Sequence, residues 1–486
     1  MKTSHLPELY RDKLALAADL YHLTMAYGFW KNKLHDRRAV FQLYFRKSPF
    51  GQSFALAAGL GLVIDYLRNF QFSVADIQYL GSLKGANNEH LFEIPFLNYL
   101  QRIKFNCDVS AVPEGTVVFP NEPLIQVTGP IIQAQIIESA LLSLINFSTL
   151  IATKAGRVVQ AAAGDEVLEF GMRRAHGLDG GLTASRSAYI GGCDASSNLL
   201  AGAHYGIPVR GTHAHSWVMA FDDEPTAFSA YANALPNNCT FLVDTYDTAE
   251  GIHNAIQQGI WLRDQGHELM GIRLDSGDLN ALSQLARKML DEAGFEKTSI
   301  VASDNLDEKT ITELKANGAK INVWGVGTQL VTGGQQSALG GVYKLAAIDD
   351  ATGEWNYRIK KSADLAKMSN PGIHQVKRFV DKKNKPRMDV IFDATQNHLP
   401  LNMVDFEGNK HPIHPNWEAK NLLEPIFQAG KLVYQQPELD AIRTYSLEQQ
   451  KLFAQHQVGY GYGLDTYLYK LKQDMASSST KVEGIN

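Results

Sequence analysis

Between residues 167 and 346 the chain alternates short, β-branched apolar runs with stretches whose apolar positions recur every three or four residues. The runs 167–171, 208–213, 240–244, 271–275, 299–303, 321–326 and 341–346 have the length and composition of buried strands. Between them, Ile252, Ile256 and Ile260 share one helical face, as do Leu279, Leu282, Ala286 and Met289. Asp307 stands where an N-cap belongs and Gly318 where a C′ residue belongs, bracketing another helix. Strand–helix alternation predicts a parallel sheet, which a closed barrel and an open doubly wound sheet both satisfy. A count of about seven units favours an irregular TIM-like α/β barrel.

The flanks follow a different pattern. Residues 1–135 mix helices, such as 56–66, with short strands at 116–119 and 124–127. After residue 350 the alternation is lost and hairpin-like runs such as 389–392 take over. We therefore expect an α/β-barrel domain over 136–350 and one α+β domain built from both ends of the chain, 1–135 and 351–475. The serine-rich stretch 476–486 is expected to be a disordered tail. The most apolar segment, 131–152, is interrupted by Gln133, Gln135, Glu138, Ser143, Asn146 and Ser148. It predicts a buried helix rather than a membrane span, which needs about 20 apolar residues.

Composition narrows the function classes. With 45% hydrophobic and 20% charged residues among 486, the chain has an ordinary globular profile. A formal net charge of -5 argues against a broad nucleic-acid surface but permits a small basic pocket. Cys107, Cys193 and Cys239 are too far apart for a zinc knuckle or a disulfide framework, and suit a reducing compartment. The first 20 residues lack the apolar core of a signal peptide, so a cytoplasmic protein is expected.

In a parallel barrel, reactive groups collect where strands end and βα loops begin. The unusual residues of this chain fall at those ends. Glu169-Phe170-Gly171-Met172-Arg173-Arg174 puts two cations after a glycine, suited to a phosphate or carboxylate unless they merely face solvent. Gly211-Thr212-His213-Ala214-His215-Ser216 offers two imidazoles, which strand alternation would place on one side with Thr212 on the other. No third ligand lies nearby in sequence, so a nucleophile or proton carrier is favoured over a metal ligand. Arg273 and Asp275, two apart, share a face: either they meet one ligand or they lock the strand end as an internal ion pair. Ser303-Asp304-Asn305 follows the next run, and Gly325-Val326-Gly327-Thr328 forms a turn that can aim backbone N–H groups at phosphate. The residues alone reach an α/β enzyme acting on a phosphorylated anion.

Longer motifs carry a resemblance. Asp19-Leu20-Tyr21-His22-Leu23-Thr24-Met25, Phe45-Arg46 with Pro49-Phe50-Gly51, the 169–174 segment with Asp179-Gly180-Gly181, Gly211-Thr212-x-Ala214-His215-Ser216, Arg273-x-Asp275-Ser276-Gly277-Asp278 and Gly325-x-Gly327-Thr328 together resemble the nicotinate phosphoribosyltransferase family. The match runs in order from residue 14 to 345, with less in the C-terminal third. It implies a Mg²⁺-dependent reaction of nicotinate with phosphoribosyl pyrophosphate, coupled to ATP hydrolysis through a phosphohistidine. By motif, His215 would carry the phosphate. Tyr21, reaching across a homodimer, would stack on the nicotinate ring, with Thr212 and Ser216 beside it. Arg273 would contact the nicotinate carboxylate or the pyrophosphate, Arg173 phosphate charge and Asp275 the ribose. Gly325, Gly327 and Thr328 would hold the 5-phosphate, with Gly211 and Asn305 in the same site. Arg210 and His213 depart from the commoner small or apolar residues. A nicotinamide-using relative and a non-catalytic metabolite sensor on the same fold are the competing readings; a quinolinate-using enzyme would need a more basic pocket.

Overall fold

In the computed structural model, which describes residues 13–51, 53–361, 368–396, 399–454 and 460–477, the alternating central pattern becomes a parallel sheet. Its strands are β1 (Glu166–Glu169), β2 (Ala195–Ser196), β3 (Thr240–Leu242), β4 (Gly271–Leu274), β5 (Ser299–Ala302) and β6 (Val323–Val326). The order is β2-β1-β6-β5-β4-β3, with every neighbouring pair parallel. Val167, Phe241, Leu242, Ile272, Leu274, Ile300 and Trp324 are buried, as expected of strands covered on both faces.

This order is cyclic but for one gap: every strand lies beside its sequence neighbour except β2 and β3, and the last lies beside the first. Beyond β2 a single parallel bridge, Ser196 to Val209, continues it. From there to β3 no ladder forms among the described residues. A side chain spans the gap instead, with the Leu242 N–H donating to His213 Nε2 at 3.3 Å. Strand pairing therefore gives an open six-stranded parallel sheet and not the closed ring that the pattern predicts. The run 208–213 contributes only the bridge at Val209, since Pro208 has no N–H to donate and no strand is formed over 210–213. The two-residue strand β2 is too short to leave a periodic signature. The run 341–346 belongs elsewhere: Gly341–Asp349 pairs antiparallel with Arg38–Phe45. Its lysine at 344 marks a half-buried strand rather than one covered on both faces.

Helices follow the strands: α1 (Gly177–Gly191), α2 (Leu199–Tyr205), α3 (His215–Val218), α4 (Glu224–Ala234), α5 (Thr248–Asp264), α6 (Leu279–Glu292), α7 (Glu308–Ala316) and α8 (Thr328–Val331). Helix α5 buries Ile252, Ala255, Ile256 and Leu262 but leaves Ile260 exposed. Helix α6 buries Leu279, Ser283, Ala286 and Leu290, so its stripe is turned from the Leu282–Met289 face that hydrophobicity suggests. Ser283 is the reason: its hydroxyl donates to the Asn280 carbonyl and accepts the Lys320 N–H, both at 3.0 Å, so a polar side chain sits inside satisfied. At α7 the sequence signals hold. The Asp307 carboxylate caps the Thr310 N–H at 2.8 Å, and Gly318 takes a φ of +83° after the last turn.

Two units partition the chain: Leu150–Ala338 with Leu439–Leu447, and Met1–Thr149 with Leu339–Glu438 and Glu448–Asn486. The divisions fall near 150 and 338, where sequence pattern suggests 136 and 350. Residues 439–447 join the parallel sheet's unit because Arg443 donates to the carbonyls of Gly192 and Cys193, at the C-terminal end of α1, and pairs with Asp194 at 2.7 Å. The other unit holds a seven-stranded and a six-stranded sheet. Arg38–Phe45 is flanked by Gly341–Asp349 and Ile125–Pro130 in the first, and His374–Val380 pairs with Pro386–Asp393 in the second. The helix expected at 56–66 starts later, as Leu60–Arg68, because Ala55–Leu56 pairs with Val117–Val118. Ala476 and Ser477 end the helix Thr466–Ser477; the rest of the expected tail lies outside the described residues. Among the described residues, no helix is long and apolar enough to cross a membrane.

One contact fixes how α5 sits on the sheet. A Cβ placed on Gly251 would lie 2.0 Å from the Val243 carbonyl oxygen. Gly251→Ala is expected to cost about 1–3 kcal/mol through forced displacement of the helix, read as a lowered thermal unfolding midpoint; an unchanged midpoint would contradict this packing.

Candidate active site

At the C-terminal ends of the strands lies a cavity of about 600 Å³ within the parallel-sheet unit. Its wall collects the segments after successive strands: Phe170 and Met172–Arg174 after β1, Ser197 after β2, Gly211, Thr212, Ala214 and His215 after the Val209 bridge, and Leu242 at the end of β3. Arg273 and Asp275 follow from β4, Ser303–Asn305 from β5, and Gly325, Gly327 and Thr328 from β6. Residues more than 150 positions apart share one space because parallel strands put every βα loop at the same edge.

Arg273 is the hub. Its Nε donates to Ser303 Oγ at 2.7 Å, Nη1 to Thr212 Oγ1 at 2.9 Å and Nη2 to Asp275 Oδ1 at 2.7 Å. Ser303 in turn donates to Asp275 Oδ1 at 2.5 Å. A guanidinium has five N–H groups, so the three bonds of the strand-end lock do not exhaust its donors. Burial pulls the Asp275 pKa upward, but the Ser303 hydrogen bond, Arg273 and His215 outweigh it and hold the carboxyl below its ordinary value.

The two histidines diverge. His215 opens α3 and faces the cavity, with Nδ1 3.1 Å from Thr245 Oγ1 and Nε2 3.6 Å from Asp275 Oδ2. His213 is buried among Phe228, Tyr231 and Phe241 and accepts the Leu242 N–H. Burial lowers its pKa to about 4, assisted by the positive charge of Arg273 and His215. The strand does not persist past Val209, so the alternation that would put both rings on one side fails, and Thr212 and His215 share the cavity instead. Arg210 is paired with Glu166 at 2.6 Å.

Phe170 forms part of the wall between Arg273, 5.8 Å from its ring centroid, and Gly325, where a Cβ would come within 2.7 Å of the ring. Glycine at 325 is thus required by packing. At Gly211 a Cβ would meet nothing within 4 Å. Asn305 takes a φ of +35°, a conformation that asparagine tolerates better than most residues. Ser216 is exposed on α3 and does not line the cavity. Tyr21 belongs to the other unit, on the helix Leu20–Lys31, and is 48% exposed.

Three groups escape a reading of the sequence. Glu169 is 1% exposed and accepts from Ser185 Oγ at 2.7 Å, Ser196 Oγ at 2.6 Å and the Gly171 N–H. Asp244 accepts from the Asp275 N–H at 2.7 Å and Ser276 Oγ at 2.8 Å. Thr245, beside it, orients His215. A polar residue within or just after a strand run is the sequence signal each of them leaves. Among the described residues no three His, Cys, Asp or Glu side chains are grouped to hold a metal ion.

Comparison with known proteins now decides between enzymes that could use such a cavity. Residues 16–146, 166–394 and 373–457 match the N-terminal domain, the family profile and the C-terminal domain of nicotinate phosphoribosyltransferase. The chain belongs to the nicotinate phosphoribosyltransferase family. It is 44% identical over 447 residues to the nicotinate phosphoribosyltransferase of Bacillus subtilis (strain 168), covering 89% of this chain and 88% of that one. Identity to the Homo sapiens nicotinate phosphoribosyltransferase is 36% over 442 residues, covering 79% and 80%. The crystal structure of human nicotinic acid phosphoribosyltransferase superposes with a TM-score of 0.82 at 31% identity, covering 94% of this chain and 99% of that one. A Pyrococcus furiosus nicotinate-nucleotide pyrophosphorylase shares the fold, with a TM-score of 0.70 at 21% identity. Membership makes this chain an enzyme of the transferase class, and these matches lend no support to an amide-using enzyme or a sensor.

The buried ring gives a signed pH prediction. His213 has a folded pKa of about 4 against an ordinary 6.5, so below pH 6.5 the unfolded chain binds a proton that the native site refuses. Its contribution to stability is full above pH 6.5 and is lost as pH falls toward 4. Chemical denaturation between pH 7 and 4.5 should show stability falling with pH, and His213→Asn should remove about 1.4 kcal/mol per pH unit of that slope; identical slopes would refute it.

Proposed function

We infer that this cavity joins nicotinate to 5-phosphoribosyl 1-pyrophosphate, giving nicotinate mononucleotide and pyrophosphate in pyridine-nucleotide salvage. The observation that carries the reading is the convergence of Arg273, Asp275, His215 and the Gly325–Thr328 turn on one cavity in a chain of this family. The pyridine nitrogen attacks C1 of the ribose, and the bond from C1 to the pyrophosphate oxygen breaks with its electron pair leaving on pyrophosphate. The nitrogen carries no proton to remove, so no general base is needed. Positive charge grows on the sugar and negative charge on the leaving group, which calls for a carboxylate near the first and cations near the second. Asp275, held ionised by its partners, suits the ribose. Arg173 suits phosphate charge, and the free N–H groups of Arg273 suit the nicotinate carboxylate or the pyrophosphate.

Gly325, Gly327 and Thr328, with Asn305, are read as the 5-phosphate cradle. Gly211, which neither packing nor φ requires to be glycine, leaves room for a ligand beside Thr212. His215 is read as the phosphohistidine formed from ATP: with its Nδ1–H donated to Thr245, Nε2 is the nucleophile, and attack on the γ-phosphorus expels ADP. His213, buried and acting as an acceptor, is unsuited to that role. The donor set fits Mg²⁺ only in part: Asp275 can offer a carboxylate oxygen and the diphosphate the remainder, the usual way this ion is held, and bound there it would neutralise leaving-group charge.

We read the cyclic strand order as an irregular barrel whose seam His213 closes, and the assembly as a homodimer in which an exposed Tyr21 stacks on the partner's nicotinate. Ser216 is assigned to the ring's surroundings on motif alone. Three free, buried cysteines support a cytoplasmic, reducing location.

Incubation with γ-labelled ATP tests the phosphohistidine. Acid-labile label should appear on the wild type and vanish in His215→Ala; label that survives in the variant would overturn the assignment. Steady-state rates should favour nicotinate over nicotinamide by at least about tenfold, since hydrogen bonds to a charged group contribute roughly 1.5–3 kcal/mol. Arg273→Lys, which loses the fork geometry, should raise the KM for an anionic substrate; unchanged constants for both substrates would sink that role.

A further inference from the structure

Away from this cavity, in the unit that carries the antiparallel sheets, a second cavity of about 380 Å³ lies at the tip of the hairpin joining His374–Val380 to Pro386–Asp393. Its size is within the range of small-molecule sites. One wall is the turn, with Lys382, Lys383 and Lys385. The opposite wall comes from a different segment, with His414 and Trp417 just after the strand Lys410–Pro412.

Lysines on a hairpin tip ordinarily only face water and discourage edge pairing. Three observations separate this tip from that case. First, the turn is braced by its own hydrogen bonds. Asp381 accepts the Lys383 and Lys385 N–H groups at 2.8 and 3.1 Å and holds Arg387 at 2.6 Å, so its carboxylate is spent and its pKa falls to about 2. Second, among the described residues none of the three lysine ammonium groups has an ion-pair partner, in a chain of net charge -5. Third, the facing wall is aromatic and donor-rich. Trp417 rests against the buried cluster of Phe379, Met388, Val390 and Met403. His414 Nδ1 accepts the Asn416 N–H at 3.2 Å, so its proton sits on Nε2 and is available to an anion.

A flat apolar platform opposite three unneutralised cations matches one kind of molecule, an aromatic ring joined to several phosphates. We propose that this groove is a second ligand site of the enzyme, binding a nucleoside di- or triphosphate with its base on Trp417 and its phosphates on Lys382, Lys383 and Lys385. Base–aromatic stacking and cation–phosphate attraction supply the affinity. The site uses none of the residues that line the transferase cavity.

Photolabelling with 8-azido-ADP and peptide mapping tests it on the full chain. Label is expected within residues 381–417 in addition to the parallel-sheet cavity, and ADP should compete for it. The variant K382A/K383A/K385A should lose the label at this groove and bind ADP there about tenfold or more weakly at moderate salt, while turnover without added nucleotide is unchanged. The variant K382R/K383R/K385R should keep it, which separates charge from folding. Trp417→Leu should weaken ADP but not inorganic triphosphate. Label confined to the parallel-sheet cavity, groove label indifferent to the alanine variant, or displacement by an RNA oligonucleotide or anionic vesicles but not by ADP would each overturn the proposal.

Discussion

Three separate strand ends are tied to one another through a single guanidinium. Arg273 reaches Asp275 on its own strand end, Ser303 after the next strand and Thr212 after the Val209 bridge, each within 3 Å. The cavity has its shape because this fork is planar and rigid, so the directions of its donors fix where the three loops begin. The ion pair inside the fork is shielded, and in such a place breaking one partner costs far more than the pair contributes to stability. The arrangement is therefore better understood as setting position than as adding strength. Asp275 gains from it in a second way: against the upward pull of burial, Ser303, Arg273 and His215 hold it below its ordinary pKa, so it remains a carboxylate in the cavity wall.

Two residues apart in sequence, His213 and His215 show how little spacing says about chemistry once a strand ends. His213 lies under aromatic rings and uses its lone pair to take a backbone N–H that no neighbouring strand accepts. His215 starts a helix, keeps 40% of its side chain exposed and borrows its orientation from Thr245. One ring replaces a missing ladder bond and is kept neutral by burial. The other stays free to change its bonding.

What the sequence made legible was the class of architecture and the addresses of the polar residues. Six of the seven strand runs touch the parallel sheet, and the positional rule for parallel strands was enough to gather Arg173, Gly211, Thr212, His215, Arg273, Asp275, Asn305, Gly325, Gly327 and Thr328 around one space. The rest was hidden for physical reasons. Residues 195 and 196 form a strand too short to have a period. The buried stripe of α6 departs from its apolar pattern because the Ser283 hydroxyl finds its partners inside. The one hydrogen bond that spans the gap in the sheet comes from a side chain, His213, which no pattern of apolar residues encodes. Apart from the Gly171 N–H, the partners of Glu169, Asp244 and Thr245 are 16 or more residues away in sequence, so little beside them in the chain marks them out. Tyr21 and Ser216 entered through the motif resemblance, and their places follow from no rule about strand ends.

The arginines of the site divide into two kinds, and the difference explains why both are present. Arg273 has most of its donors committed to protein groups and is 14% exposed as a side chain. Arg173 and Arg174 are exposed on the turn after β1, and among the described residues neither has an ion-pair partner. An engaged, shielded arginine holds geometry but has little freedom to follow a ligand; an unpaired one at the rim can follow charge but fixes nothing. The rim pair can be left unpaired because the turn beneath it is anchored by Glu169, whose carboxylate takes the Gly171 N–H and the hydroxyls of Ser185 and Ser196. All of those donors are neutral, so the buried charge is satisfied without drawing either arginine inward. Had Glu169 been matched by a cation, Arg173 or Arg174 would be the nearest in sequence, and the cavity would lose positive charge from its rim.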